Sequence, residues 1–213
     1  MRVLLVHGLG RTPLSMLWLA HRLRRAGHAP ETFGYAAWAE SYRAIRERLI
    51  TRIERADAGA APWVAIGHSL GGLLLRDAIA TTEPAPPDHL AHLIMLATPN
   101  QPPRLAPRAA RVPPFRWFTG ECGRRLASPE YFRTLPAPSV PCTVLAGTHG
   151  FSGRWSPFGE EPNDGIVAVS ETVVSTAAPP RTFPVAHTFI MNDTAVQAAI
   201  IDILAGCAPA GGE

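Results

Sequence analysis

The amino-acid sequence predicts an α/β fold, a doubly wound and mostly parallel sheet flanked by helices. Two observations lead to this prediction. Apolar runs of strand length at residues 3–6, 63–66, 92–97 and 142–146 show no alternation of polar and apolar positions, which is typical of parallel strands covered on both faces. Segments with apolar residues at helical spacing lie between these runs, and such alternation of strand and helix indicates a parallel α/β sheet.

The chain has 213 residues, of which 46% are hydrophobic. This length suffices for one well-buried domain and is short for two. We therefore predict a single domain over residues 1–205 and a disordered tail at 206–213. The domain includes an insertion at 101–141 that is rich in proline, arginine and aromatic residues. It is too long and too apolar for an ordinary connection, so we expect it to lie like a cap over the edge of the sheet that binds ligands.

Charge and cysteine content argue against several classes of protein. All 20 basic residues are arginines, the net charge is +3, and no basic stripe with interleaved aromatics indicates a nucleic-acid partner. Three cysteines without a C-x-x-C spacing argue against a disulfide framework and a zinc site. No cleavage site follows the apolar start at residues 3–6, and no apolar run has the roughly 20 residues of a membrane span. We therefore expect a cytoplasmic protein.

The first half of the chain contains three predicted pairs of strand and helix. The strand at residues 3–6 leads to a helix that begins at Pro13 and stops at Gly27. A short strand at 32–35 precedes an amphipathic helix with Ser41 as its N-cap. The strand at 63–66 then leads through a glycine-rich turn into an apolar helix.

The second half begins with a proline-rich link at residues 81–88. The elements predicted after it are a strand at 92–97, the insertion, a strand at 142–146, a long loop at 147–165, a short strand at 172–174, a last core strand at 182–185 and an amphipathic helix at 194–204.

The sequence Gly-His-Ser-Leu-Gly at residues 67–71 lies between the strand at 63–66 and its helix. It matches the G-x-S-x-G nucleophile elbow, a turn so sharp that the serine stands clear of the sheet. We expect Gly67 and Gly71 to leave room where a β-carbon would collide with neighbouring backbone. The alternative is a glycine-rich turn in which Ser69 only caps the following helix. The functional interpretation therefore depends on finding partners for Ser69.

A serine hydroxyl is a weak nucleophile, and it needs a base that a third group holds in the correct tautomer. In hydrolases with doubly wound sheets, the acid and then the base follow the serine in the chain. His187 follows the last predicted strand, so it should lie with Ser69 at the carboxyl edge of the sheet. His89 and His92 lead into a strand at the opposite end, and His149 lies where the acid is expected. The alternative for His187 is a structural histidine in a loop.

Asp164, in the sequence Asn-Asp-Gly-Ile-Val at residues 163–167, is the predicted acid because it lies at the same edge of the sheet. The alternative is a plain Asp-Gly turn, with Glu160 and Glu161 as fallback acids.

An oxyanion needs at least two donors, and backbone N–H groups can supply both. Leu70, at the start of the helix after the serine, is one candidate. Leu9, in the glycine-flanked turn at residues 7–10, is the other. The alternative is that this turn serves only a tight strand-to-helix connection.

These motifs together resemble the α/β-hydrolase superfamily, and within it the compact lipases and esterases with His-Gly near the amino terminus and Gly-His-Ser-Leu-Gly-Gly at the elbow. The resemblance extends from residue 3 to about residue 204 and includes Ala-His-Thr at 186–188. The acid motif at 163–167 is similar to that of bacterial triacylglycerol lipases and of deacylases that act on lipid-linked inositol. The resemblance implies an α/β-hydrolase fold.

We predict a serine carboxylic-ester hydrolase, an esterase or lipase that forms an acyl-enzyme on a small-molecule or lipid ester without a metal or other cofactor. An acyltransferase or thioesterase with the same three residues is one alternative, and a non-catalytic binding protein on this fold is another. Transient contact with a membrane surface and the oligomeric state stay open. An aromatic residue in an irregular segment is as often local core as ligand wall. With that alternative open, the candidates for an acyl pocket are Phe115, Trp117, Phe118, Trp155, Phe158 and Phe189.

Overall fold

A six-stranded sheet runs through the protein, whose computed structural model describes residues 1–207 except for the side chains of residues 115 and 116. Its strands in chain order are β1 (Arg2–Val6), β2 (Ala29–Phe33), β3 (Trp63–His68), β4 (Leu90–Leu96), β5 (Cys142–Gly147) and β6 (Arg181–Phe183). They lie side by side in the order β2-β1-β3-β4-β5-β6, and every neighbouring pair is parallel. The predicted α/β fold with a parallel sheet is confirmed.

Helices connect the strands. Those within residues 1–207 are α1 (Leu17–Arg25), α2 (Tyr42–Asp57), α3 (Leu70–Ile79), α4 (Ala106–Ala109), α5 (Pro113–Leu126), α6 (Pro129–Thr134) and α7 (Thr194–Gly206). Short 3₁₀ helices occupy Pro13–Met16, Val169–Thr172 and His187–Asn192. None of the helices in the described range is long and apolar enough to cross a membrane.

The two faces of the sheet carry separate hydrophobic cores. Successive residues of a strand point to opposite faces. In β1, Leu4 and Val6 pack in the core with α2 and α3, whereas Val3 and Leu5 pack in the core with α1 and α7. Because helices cover both faces, every central strand can be apolar without alternation.

Side chains cap the N-termini of α2, α6 and α7, and the cap of α6 is Ser128. Ser41 accepts a hydrogen bond from the backbone N–H of Ala44 at 3.1 Å, so the predicted N-cap of α2 is confirmed. Asp193 accepts from the N–H groups of Ala195 and Val196 at 2.9 and 3.0 Å and caps α7 in the same way.

Some predicted boundaries are wrong. The first edge strand begins at Ala29 and includes Pro30, which an edge tolerates because one side of the strand needs no donor. The last predicted core strand is a three-residue edge strand, since Pro184 follows it directly and cannot continue the ladder.

The predicted strand at residues 172–174 is also absent from the described chain. A 3₁₀ helix ends there at Thr172, held by a hydrogen bond from the N–H of Ala168 to the carboxylate of Glu171 at 3.1 Å. The terminal helix reaches Gly206, so the predicted tail begins too early, and residues 208–213 lie outside the described part of the chain.

The insertion folds into α4, α5 and α6 and packs on the side of the sheet that carries α2 and α3. Arg76, a buried residue of α3, donates to the side chain of Asn100 and to the carbonyl oxygen of Pro136, both at 2.7 Å. The hydroxyl groups of Tyr42 and Tyr131 share a further hydrogen bond of 2.7 Å. These contacts attach both ends of the insertion to the helices beneath it.

Truncation of Leu5 should test the importance of the core behind the site. Leu5 is 0% exposed, so Leu5→Ala should lower the free energy of unfolding by about 2–5 kcal/mol through lost burial and an unfilled cavity. Leu14 is 72% exposed, and Leu14→Ala should stay within about 0.5 kcal/mol of wild type. Urea unfolding of both variants checks this, and similar losses for the two would contradict it.

Candidate active site

Ser69 occupies the sharp turn between β3 and α3. Its backbone φ is +52°, in the left-handed region that L-amino acids other than glycine rarely adopt. A β-carbon on Gly67 would lie 2.4 Å from the backbone nitrogen of Gly72, and one on Gly71 would lie 2.4 Å from the carbonyl oxygen of Val6. Neither separation leaves space for a side chain. The prediction that these two glycines make room for the turn is therefore confirmed.

Ser69, His187 and Asp164 form one chain of hydrogen bonds. Oγ of Ser69 lies 3.0 Å from Nε2 of His187, and Nδ1 of His187 lies 2.7 Å from Oδ2 of Asp164. Because the carboxylate accepts at Nδ1, that nitrogen carries the proton of a neutral imidazole and Nε2 is free to accept from the serine. His187 can thus act as a base toward the Ser69 hydroxyl.

The loop after β5 orients the carboxylate of Asp164. Its Oδ1 accepts hydrogen bonds from the N–H groups of Ile166 and Val167 at 3.0 and 2.7 Å, which leaves Oδ2 for His187. Gly165 turns the loop with a φ of +94°. The main-chain carbonyl of Asp164 also accepts the N–H of His187 at 3.0 Å, so backbone and side chain both join the two residues.

The fallback acids have other roles. The carboxylate of Glu161 pairs with Arg104 at 2.7 Å, and Glu160 is exposed to solvent. Arg104 also bonds Glu171 at 2.7 Å and so joins the start of the insertion to the loop that carries Asp164.

Two buried histidines to which the sequence pattern gave no role support the site. His68 donates from Nε2 to the carbonyl oxygen of His187 at 3.1 Å. His7 donates from Nδ1 to the carbonyl oxygen of Gly8 at 2.9 Å and accepts the N–H of Tyr35 at Nε2. Burial lowers the pKa of both imidazoles. Their places beside the serine and in the first turn were visible in the sequence, but their partners were not.

The two predicted oxyanion donors lie on either side of the serine. Leu9 lines a cavity beside Ser69, and Leu70 is the first residue of α3. In the described part of the chain, neither backbone N–H donates to a protein acceptor. Unpaired N–H groups of this kind, one of them at a helix N-terminus, can bind a developing negative charge.

A cavity of about 490 Å³ lies beside Ser69 and His187. The first turn of the chain and the loop before α7 form part of its wall, through Leu9, Gly10, Arg11 and Thr188. The insertion contributes Pro103, Leu105, Ala106, Ala109, Pro114, Phe118, Thr119 and Leu126. The wall is therefore mainly apolar, and prolines and aliphatic side chains build most of it.

Among the described side chains, four of those predicted for the acyl pocket do not line this cavity: Trp117, Trp155, Phe158 and Phe189. Phe158 is buried under the guanidinium of Arg104, 5.3 Å from the ring centre, and the other three are exposed. Phe118 does line the cavity. The side chain of Phe115 is outside the described part of the structure. Of the two described aromatic side chains of α5, Phe118 thus lines the cavity and Trp117 faces solvent.

Comparison with known proteins agrees with the fold. A model of the alpha/beta hydrolase family matches residues 3–209. The mature lipase BlEst2 of Bacillus licheniformis has a similar structure, with a TM-score of 0.75, 15% identity, and coverage of 95% of this chain and 91% of that one. A monoacylglycerol lipase of Paleococcus ferrophilus has a TM-score of 0.63 and 18% identity, with coverage of 97% of this chain and 95% of that one. A thioesterase of prodiginine biosynthesis in Streptomyces coelicolor has a TM-score of 0.63 and 14% identity, with coverage of 97% of this chain and 90% of that one. No curated protein has a sequence that matches this chain significantly. At these identities the structural likeness shows the fold alone.

Gly71→Ala should test the steric requirement of the turn. The new β-carbon meets the carbonyl oxygens of Val6 and His7 at 2.4 and 2.6 Å, so the free energy of unfolding should fall by about 1–3 kcal/mol. Gly206→Ala is the matched control, because nothing lies within 4 Å of its added carbon. That helical variant should be neutral or more stable by up to about 1 kcal/mol. Chemical denaturation measures both, and an unaffected Gly71→Ala would contradict the steric argument.

The free energy of unfolding should decrease as the pH is lowered, because of His68. Burial, followed by the neighbouring His187, lowers the pKa of folded His68 well below its ordinary value of 6.5. Below about pH 6.5 the unfolded chain therefore binds a proton at this position that the folded chain does not, and acid favours unfolding. The contribution is up to about 1.4 kcal/mol per pH unit. His68→Asn should give a shallower slope of unfolding free energy between pH 7.5 and pH 5, and parallel slopes would contradict the assignment.

Proposed function

The chain belongs to the alpha/beta hydrolase family, and we propose that it is a serine hydrolase of carboxylic esters, an esterase or lipase. The observation that carries the proposal is the chain of hydrogen bonds from Ser69 through His187 to Asp164, at the wall of the cavity. A serine hydroxyl connected to a base and an acid in this way is suited to attack an acyl carbon.

Acylation begins when Nε2 of His187 takes the hydroxyl proton of Ser69 and Oγ attacks the carbonyl carbon of the ester. Asp164 stabilises the imidazolium and keeps the ring in place. His187 then gives the proton to the leaving alcohol, the bond from carbon to that oxygen breaks, and the acyl group remains on Ser69. The 3.0 Å contact already joins the two groups between which the proton first moves, and the 2.7 Å contact joins the imidazole to the carboxylate that stabilises its charged form.

Deacylation repeats the sequence with water in place of the alcohol. His187 removes a proton from the water, which attacks the acyl carbon, and returns the proton to Ser69 as the carboxylic acid leaves. In both stages the carbonyl oxygen becomes negatively charged, and the N–H groups of Leu9 and Leu70 are the donors proposed to bind it. One such donor contributes about 3 kcal/mol of transition-state stabilisation.

The cavity favours a lipid-like acyl group. Its volume of about 490 Å³ lies within the range of small-molecule pockets. Its wall is mainly aliphatic, and each methylene group transferred from water to such a wall contributes about 0.8 kcal/mol. An ester with an aliphatic chain would therefore gain binding energy here with each carbon that the cavity can hold.

Substitution of the three residues tests this proposal. Ser69→Ala and His187→Ala should each lower kcat for 4-nitrophenyl butyrate by about 10⁴-fold or more, and Asp164→Asn by about 10⁴-fold, because each interrupts the proton transfer. Ser175→Ala, at an exposed serine, is the matched control and should keep wild-type activity. Wild-type rates in Ser69→Ala would show that another residue is the nucleophile.

Assays that vary the acyl acceptor and the leaving group distinguish an ester hydrolase from an acyltransferase and a thioesterase. An acyltransferase would form a new ester when an alcohol is added, and a thioesterase would prefer a thioester over the oxygen ester of the same acyl group. The ester hydrolase proposed here should release mainly free acid in both assays. A binding protein without turnover would release none.

A further inference from the structure

The cavity beside Ser69 carries one permanently charged side chain among its described lining residues. Arg11 lies in the wall together with Leu9 and Gly10, and no aspartate or glutamate belongs to the same lining set. Of the two histidines in the wall, His68 has a pKa well below its ordinary value because it is buried. A positive charge in a mainly apolar cavity is unusual unless an anion accompanies it.

The side chain of Arg11 makes no hydrogen bond and no ion pair with the described residues, and its Nε is buried. Two other arginines also bury an unpartnered Nε, but both are anchored elsewhere. Arg46 reaches the carboxylate of Asp77 at 3.4 Å, and Arg76 donates to two oxygen acceptors through its terminal nitrogens. Arg11 thus differs from both, because its guanidinium retains its whole donor capacity.

A backbone hydrogen bond helps to fix the position of Arg11. Its N–H donates to the carbonyl oxygen of Gly8 at 3.3 Å, which closes the turn that also presents Leu9. The charge is close enough to the site to help lower the pKa of both His7 and His68, although burial has the larger effect on each. The guanidinium therefore belongs to the same turn as a proposed oxyanion donor.

We propose that Arg11 binds an anionic group of the substrate, so that this enzyme prefers esters that carry a carboxylate or phosphate within the cavity. A guanidinium matches the planar or tetrahedral oxygens of such groups with two parallel N–H donors. The anion would replace the missing partner of Nε, and the aliphatic part of the substrate would fill the rest of the cavity. This inference rests on the proposed esterase function and assigns its substrate class.

The anion can come from either side of the ester, and two matched pairs of substrates distinguish the sources. The acyl side is probed with mono-4-nitrophenyl adipate against 4-nitrophenyl hexanoate. The leaving-group side is probed with 1-hexanoyl-glycerol-3-phosphate against 1-hexanoylglycerol. The readout is the ratio of kcat/KM for the anionic ester to that for its neutral partner, measured in wild type, Arg11→Gln and Arg11→Lys.

Wild type should prefer the anionic ester in at least one pair, and Arg11→Gln should lower that ratio about 10- to 100-fold, as expected for loss of charge-assisted hydrogen bonds. Arg11→Lys keeps the charge and should retain part of the preference. Arg24→Gln removes one charge from an exposed position of α1 and should leave the ratio as in wild type. Thermal unfolding of each variant shows whether it is folded.

Three results would overturn the inference. Wild type could favour the neutral ester in both pairs, or Arg11→Gln could lower both kcat/KM values equally, or Arg24→Gln could lower the ratio as much as Arg11→Gln. In these cases the protein still hydrolyses esters, so the proposed function is retained and only the role of Arg11 is rejected. Absence of turnover with all four esters in folded wild type would instead reject the proposed function, and the inference with it.

Discussion

The structure depends on one strained turn in the backbone. Ser69 has a positive φ between the central strand β3 and helix α3, and the turn exists only because Gly67 and Gly71 leave no side chain in its way. Every residue of the helix that follows is buried except Asp77, so tight packing holds the helix against the sheet. The same turn exposes the serine and leaves the N–H of Leu70 unpaired. It therefore positions both the proposed nucleophile and one proposed oxyanion donor.

Parallel strands explain why distant residues meet at this turn. The carboxyl ends of β1, β3 and β5 all open to one edge of the sheet, and β6 ends there too. Asp164 and His187 follow the last two strands, so Asp164 meets His187 at 2.7 Å and His187 meets Ser69 at 3.0 Å. Once buried, polar groups must find partners, and backbone N–H groups satisfy the second oxygen of Asp164. The insertion completes the site by adding a mainly apolar wall.

Features that depend on neighbouring residues in the chain could be predicted from the sequence. Apolar runs predicted the parallel sheet, and the glycines around Ser69 predicted the turn. Chain order placed His187 and Asp164 at the correct edge, and their catalytic roles stay a proposal. Contacts between distant segments could not be predicted in this way. The bond from His68 to His187, the outward direction of Trp117 and the unpartnered guanidinium of Arg11 all depend on how the loops and the insertion pack together.

The central claim is that the turn, with its two hydrogen-bonded partners, makes the hydroxyl of Ser69 a nucleophile. Covalent labelling with a neutral alkyl fluorophosphonate, followed by mass spectrometry of the intact protein and of its peptides, tests this most directly. The account predicts one adduct per chain, located on the peptide that contains Ser69, and slow labelling when His187 is replaced by alanine. Folded protein that gains no adduct, or that carries it on another residue, would contradict the account.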